Sequence, residues 1–217
     1  MTATTTVAIP LFDRFTALDA IGPYEVLQRV PSIDVVVVGH ERGEVRSDNG
    51  MLGISRDATF EEVPHPDVLV FPGGVGTRTL QHDERVLEWV RTVHEGTVWT
   101  TSVCTGSIVL AAAGLLTGLT ATTHWSTYAD LEAYGVTAVP ERVVEHLDRR
   151  ILTAAGVSSG IDMALRLVEL LVDDTAARAA QLMIEYDPQP PFDAGSVAKA
   201  SDETMTRVIE YASVGRS

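Results

Sequence analysis

Val98-Trp99-Thr100-Thr101-Ser102-Val103-Cys104-Thr105-Gly106-Ser107 is the stretch on which the fold turns. Val98 to Val103 is rich in β-branched and aromatic residues and reads as a strand. It runs straight into Cys104. Ser107 to Ala113 follows as a run of small and aliphatic residues, which reads as a helix with Gly114 as its C-terminal cap. A cysteine between strand and helix sits on a sharp turn, the logic of a nucleophile elbow. Gly106, two positions on, would let the helix pack close.

Working outward, the same alternation recurs. Val7 to Pro10 is a short strand, and Phe15 to Val30 carries Leu18, Ile21, Val26 and Leu27 near helical spacing. Ile33 to Val38 is a β-branched run that reads as a strand buried on both faces. Arg46 to Ile54, centred on Asp48-Asn49-Gly50, reads as a hairpin. Asp67 to Phe71 is a further strand, stopped by Pro72-Gly73-Gly74, and Asp83 to His94 a further helix. Short strands near residues 142–144 and 151–153 precede helices at Ser159 to Leu171 and Thr175 to Tyr186. The expected fold class is α/β: a doubly wound, mostly parallel sheet with helices on both faces, a flavodoxin-like sandwich. Residues 1–217 read as one domain, with about 187–217 as a proline-containing loop and a polar C-terminal tail.

The chain's 30 Asp and Glu against 16 Lys and Arg give a net charge of −14. That balance repels phosphate backbones and anionic membranes, so neither nucleic acid nor a membrane is an expected partner. The first twelve residues lack the basic and apolar regions of a signal peptide, and no apolar stretch approaches the ~20 residues of a membrane span. With one cysteine there is no internal disulfide, which suits a reducing cytoplasm. No histidines pair at metal-ligand spacing, so a metal is not expected.

Each candidate residue has two readings. Cys104 at a helix N-terminus would have a lowered pKa and be nucleophilic, or it is an inert buried thiol. Phe71-Pro72-Gly73-Gly74-Val75-Gly76 could present backbone N–H groups to a developing anion, or merely be a tight turn. Asp19, among apolar neighbours, caps a helix, or is a buried carboxyl of raised pKa that carries protons. His124 could approach the site or be a satisfied structural histidine.

Leu-Asp-Ala-Ile-Gly-Pro (18–23), Val-Phe-Pro-Gly-Gly (70–74), Ser-Val-Cys-Thr-Gly-Ser (102–107) and Ala-Thr-Thr-His-Trp (121–125) together resemble the ThiJ/PfpI superfamily, with its class I glutamine amidotransferase-like fold. The likeness continues through Pro-Glu-Arg-Val-Val (140–144), Ser-Gly-Ile-Asp (159–162) and Tyr-Asp-Pro-Gln-Pro-Pro-Phe (186–192) and is nearest to the isocyanide hydratases. That resemblance implies Cys104 as nucleophile and Asp19 as the carboxyl that contacts it and moves protons. It implies Gly74 and Val75 as the turn whose amides face the substrate, Thr105 after the nucleophile, and Val157 as an aliphatic neighbour of the cysteine. It further implies a homodimer acting on a small molecule, without cofactor: water added to an isocyanide to give an N-substituted formamide through a cysteine thioimidate. A compact apolar substituent is expected to suit the pocket.

Other members of the superfamily set the alternatives. Amidases and proteases carry histidine where this chain has Thr105, and glyoxalases or deglycases commonly carry glutamate where it has Asp19. A ligand sensor would be followed by a DNA-binding region, which the roughly thirty mostly polar residues after Tyr186, in an acidic chain, are not expected to form. A redox sensor would use the oxidation of Cys104.

Overall fold

The computed structural model describes residues 4–213. They form two compact units, one running up to Ile184 and a smaller one beginning at Glu185.

The larger unit starts with β1 (Thr5–Pro10), α1 (Ala17–Leu27) and β2 (Ile33–Gly39). The hairpin β3 (Gly43–Arg46) and β4 (Gly53–Arg56) follows, then β5 (Ala58–Thr59) and β6 (Val68–Phe71). Next come α2 (Thr77–Leu80), α3 (Glu84–Gly96), β7 (Trp99–Val103) and α4 (Gly106–Ala112). The unit is completed by β8 (Thr120–Ala121), α5 (Tyr128–Glu132), β9 (Thr137–Ala138), β10 (Val143–His146), β11 (Ile151–Ala154), α6 (Ser159–Leu171) and α7 (Asp174–Met183).

Seven strands form the main sheet in the order β10-β11-β7-β6-β1-β2-β5. All neighbours are parallel except the β10–β11 pair. Every residue of β6 and of β11 is buried, as expected for strands with helices on both faces. The expected doubly wound α/β sandwich is therefore the observed fold. Strand order reverses at β1, which lies between β6 and β2. The carboxyl ends of β1, β6 and β7 thus open onto a topological switch point, where ligands bind in such sheets.

Three local expectations are corrected. β2 is only half-buried over Val35 to Val37, because its outer neighbour β5 pairs with only two of its residues. In α1 the inward face carries Asp19, Ala20, Gly22, Pro23, Val26 and Leu27, while Leu18 is 40% exposed; the helix turns a carboxyl into the core instead of a leucine. The residues expected to be a polar tail contain, within the smaller unit, helix α8 (Asp202–Ser213). Its start is capped by the Ser201 hydroxyl, which accepts the Thr204 N–H at 3.2 Å, and Met205, Val208 and Ala212 recur at helical spacing.

Candidate active site

β7 delivers Cys104 at φ +56°, the left-handed region that a side chain enters at a cost of about 1–2 kcal/mol. The surroundings hold it there. Its N–H donates to the carbonyls of Ala154 and Ala155 at 3.0 and 3.1 Å. Its carbonyl accepts the Ser107 hydroxyl at 3.1 Å and the Thr123 hydroxyl at 3.0 Å. Gly106 is needed for close approach: a Cβ there would lie 2.2 Å from the Phe71 carbonyl oxygen. The strand–turn–helix read from the sequence is the elbow observed.

Asp19 approaches the elbow from α1 and is completely buried. Its Oδ2 accepts the Gly73 N–H at 3.1 Å, and its carboxyl is hydrogen-bonded to the Cys104 thiol. Burial, helped by the charge of Asp48, pushes the Asp19 pKa up to about 7 against the pull of those two hydrogen bonds. The Cys104 thiol is pushed above the ordinary thiol range by burial and by the adjacent carboxylate, although the N–H groups of Thr105 and Val157 stabilise its anion. The expected lowering by a helix N-terminus is therefore corrected. α4 is only seven residues long, and desolvation beside an acid outweighs its dipole. The two acids form a coupled pair that sheds one proton near neutrality and holds the other into alkaline pH.

The glycine turn after β6 is knitted to the residue after the cysteine. Thr105 Oγ1 accepts the Gly74 N–H at 2.9 Å and the Thr77 hydroxyl at 3.0 Å. The Gly74 amide, expected to face a substrate, is thus committed to the protein itself. Val75 lines the cavity beside it. Gly73, which in sequence looks like a mere turn residue, keeps open the space between the two halves of the site. A Cβ there would meet Thr105 N at 2.6 Å, Thr105 Oγ1 at 2.7 Å and Asp19 Oδ2 at 2.8 Å. Val157 has φ +40°, strained for a β-branched residue, and this places its N–H on the Cys104 sulfur.

A cavity of about 340 Å³ opens over Cys104. Thr105, Gly74, Val75 and Val157 reach its wall, whereas Asp19 lies behind the thiol. Among the described residues, only three side chains on that wall are aliphatic, those of Val75, Ile108 and Val157. The expectation of an apolar pocket is corrected: Thr16, Asp48, Thr77, Arg78, Gln81, Ser126, Thr127 and Asp130 also face it. None of these stands out as a site residue in the sequence. They arrive just before α1, on the hairpin loop, on and beside α2 and around α5, where no periodic signal marks them.

His124 occupies both roles weighed for it. It lines the cavity, and it caps the short 3₁₀ turn Trp125–Thr127. The Ser126 N–H points at Nδ1 at 3.4 Å, which makes that nitrogen an acceptor and puts the ring proton on Nε2. Burial lowers its pKa, favouring the neutral ring. Among the described residues, no three His, Cys, Asp or Glu side chains converge as a metal site would need, and no helix is long and apolar enough to cross a membrane.

The chain is 43% identical over 186 residues to the isonitrile (isocyanide) hydratase of Pseudomonas putida, covering 86% of this chain and 80% of that enzyme. A crystal structure of a ThiJ/PfpI family protein from Pseudomonas syringae superposes with a TM-score of 0.91 at 36% identity, over 99% of this chain and 88% of that one. An HTH-type transcriptional regulator, CdhR, of Pseudomonas aeruginosa is 29% identical over 92% of this chain, a match to 57% of the regulator's length. Residues 5–170 match the DJ-1/PfpI family across most of the larger unit, and the chain belongs to that family.

Proposed function

We propose that the chain is an isocyanide hydratase, converting R–N≡C and water into R–NH–CHO through a thioimidate on Cys104. The observation that carries this reading is the Asp19–Cys104 pair, with the thiol at the floor of a cavity and the carboxyl behind it, in a chain whose relative at 43% identity is an isonitrile hydratase.

The chemistry asks for one nucleophile and one mobile proton, and the pair supplies both. With a single proton between them, sulfur attacks the terminal isocyanide carbon. The shared proton passes through Asp19 to that same carbon, giving R–N=CH–S–Cys104 and an Asp19 carboxylate. The carboxylate then takes a proton from an incoming water as its oxygen bonds to the carbon, and hands that proton to nitrogen. When the C–S bond breaks, the remaining hydroxyl proton returns to Asp19, the thiolate leaves, and the formamide is complete. The N–H groups of Thr105 and Val157 stabilise the sulfur anion at the start and end of the cycle. Val75 and Val157 confine the substrate beside the thiol.

Incubating the protein with a simple aromatic isocyanide and following the N-substituted formamide tests this. Turnover by the wild type and none by Cys104→Ala is the expected result. A folded protein whose thiol can be alkylated but which forms no formamide would refute the reading.

A further inference from the structure

Beside Thr105 stands a second threonine that the sequence does not single out. Thr77, the first residue of α2, is 2% exposed and borders the cavity together with Thr105. Resting on the hydratase reading, we infer that Thr77 is a positioning residue. It takes over the Gly74 carbonyl when the Thr105 hydroxyl turns its proton towards the intermediate bound on Cys104.

The hydrogen bonds around Gly74 close a small ring. The Gly74 N–H donates to Thr105 Oγ1 at 2.9 Å. The Thr77 hydroxyl has two acceptors in reach, the Gly74 carbonyl at 2.7 Å and Thr105 Oγ1 at 3.0 Å. The Thr105 hydroxyl reaches the same Gly74 carbonyl at 3.2 Å. Each hydroxyl has one proton to give, so the ring has two settings. In the first, Thr77 donates to Thr105 and Thr105 to Gly74, and neither proton faces the cavity. In the second, Thr77 donates to Gly74 across the shorter contact, and the Thr105 proton is free to turn into the cavity. The Thr105 N–H bonds the Cys104 sulfur, and a Cβ on Gly73 would touch both Thr105 Oγ1 and Asp19 Oδ2. The hydroxyl therefore stands beside both members of the reacting pair.

The chemistry calls for a donor only after sulfur begins to add. The nitrogen of R–N≡C has no free lone pair, and one develops as sulfur and a proton add to the carbon. A hydroxyl proton turned to that lone pair polarises the C=N bond towards water. It favours the thioimidate over the free isocyanide, and only such differential binding speeds the reaction. The proton stays on Thr105, and Asp19 still delivers the one that ends on nitrogen. Turning it outward strips the Gly74 carbonyl of a hydroxyl partner, leaving the Thr77 N–H at 3.1 Å. With the Thr77 hydroxyl moving onto that carbonyl, the number of hydrogen bonds is unchanged.

Steady-state turnover of cyclohexyl isocyanide by Thr77→Val and Thr77→Ser, beside Cys104 alkylation by iodoacetamide, tests this. Thr77→Val keeps the shape and loses the donor, so kcat should fall about tenfold, with KM and the alkylation rate little changed. Thr77→Ser keeps the hydroxyl and should restore most of kcat. In a Thr105→Val background, adding Thr77→Val should cost little more, because the donor it serves is already gone. Wild-type kcat in Thr77→Val, a Thr77→Ser as slow as Thr77→Val, or an undiminished loss in the Thr105→Val background would overturn the inference and leave the hydratase reading standing. So would a parallel fall in alkylation, which would place the effect on the thiol. No turnover by the wild type would overturn both.

Discussion

The proton that Asp19 and Cys104 share sets how the site responds to pH. Below about pH 7 both groups are protonated, because burial lifts the carboxyl to about 7 and the thiol higher still. No anion is then available to attack. The rate of Cys104 alkylation by iodoacetamide, and kcat/KM for a neutral isocyanide, should therefore rise as pH increases through about 7 and then level off. A rise delayed to the ordinary thiol range would mean that Asp19 takes no part. Asp19→Asn should abolish most turnover while leaving Cys104 open to alkylation, and wild-type-like turnover would rule out proton transfer by Asp19. The same carboxyl affects stability with a definite sign. Its folded pKa lies above the ordinary value of 3.8, so the folded state binds more protons between pH 3.8 and about 7, and stability falls as pH rises across that window. The loss amounts to about 4 kcal/mol at its upper end. Asp19→Asn should accordingly raise the denaturation midpoint at pH 8, a gain in stability with a loss of function. An unchanged midpoint would mean that the carboxyl ionises without penalty.

The turn after β6 holds the two halves of the site together. Gly73 donates to Asp19 and Gly74 to Thr105; without side chains, Gly73 leaves room for Thr105 and Asp19, and Gly74 for the backbone of Arg14 to Thr16. Gly73→Ala forces a methyl group into backbone and carboxyl atoms less than 3 Å away. A stability loss of about 1–3 kcal/mol is expected from such overpacking, with a larger proportional loss of turnover as Asp19 is pushed off the thiol. Urea denaturation beside kcat measures both, and a fully active variant would contradict the assignment. This turn also marks the limit of what is legible in the sequence. The strand before it and the elbow at Cys104 are readable because buried parallel strands are continuous apolar runs and the corner glycine is conspicuous. Asp19 stands out as an acid among apolar residues, but its sequence context does not reveal that α1 turns it inward. The hydrogen bond that ties up the Gly74 amide is invisible there, since Thr105 and Gly74 are thirty-one positions apart. The polar wall of the cavity is equally hidden, because residues such as Asp48 and Asp130 look, one at a time, like ordinary solvent-facing groups.

Across the whole molecule, stability against pH is a sum of opposed slopes, and the acid side tests how the sheet is closed at the end remote from the site. There His94, near the end of α3, bonds Thr100 Oγ1 through Nδ1 at 2.9 Å, and Arg150 donates to the Thr97 carbonyl at 2.5 Å. Burial first, then the charges of Arg150 and Arg149, lower the His94 pKa. A base with a depressed folded pKa contributes stability that is fully present above its unfolded value of about 6.5 and is lost as pH falls below it. Asp19 works in the other direction over an overlapping range, so the wild-type curve of melting temperature against pH should be flatter than either group alone would give. Removing Asp19 exposes the histidine limb: in Asp19→Asn the melting temperature should fall steadily on acidification below about pH 6.5. His124, also depressed by burial, contributes to the same limb from the cavity side. Adding His94→Gln should therefore reduce the slope without eliminating it. If the double variant keeps the full acid slope, protonation of His94 is not what loosens the closure of β7 against β11, and the charge of Arg150 is tolerated beside a protonated ring.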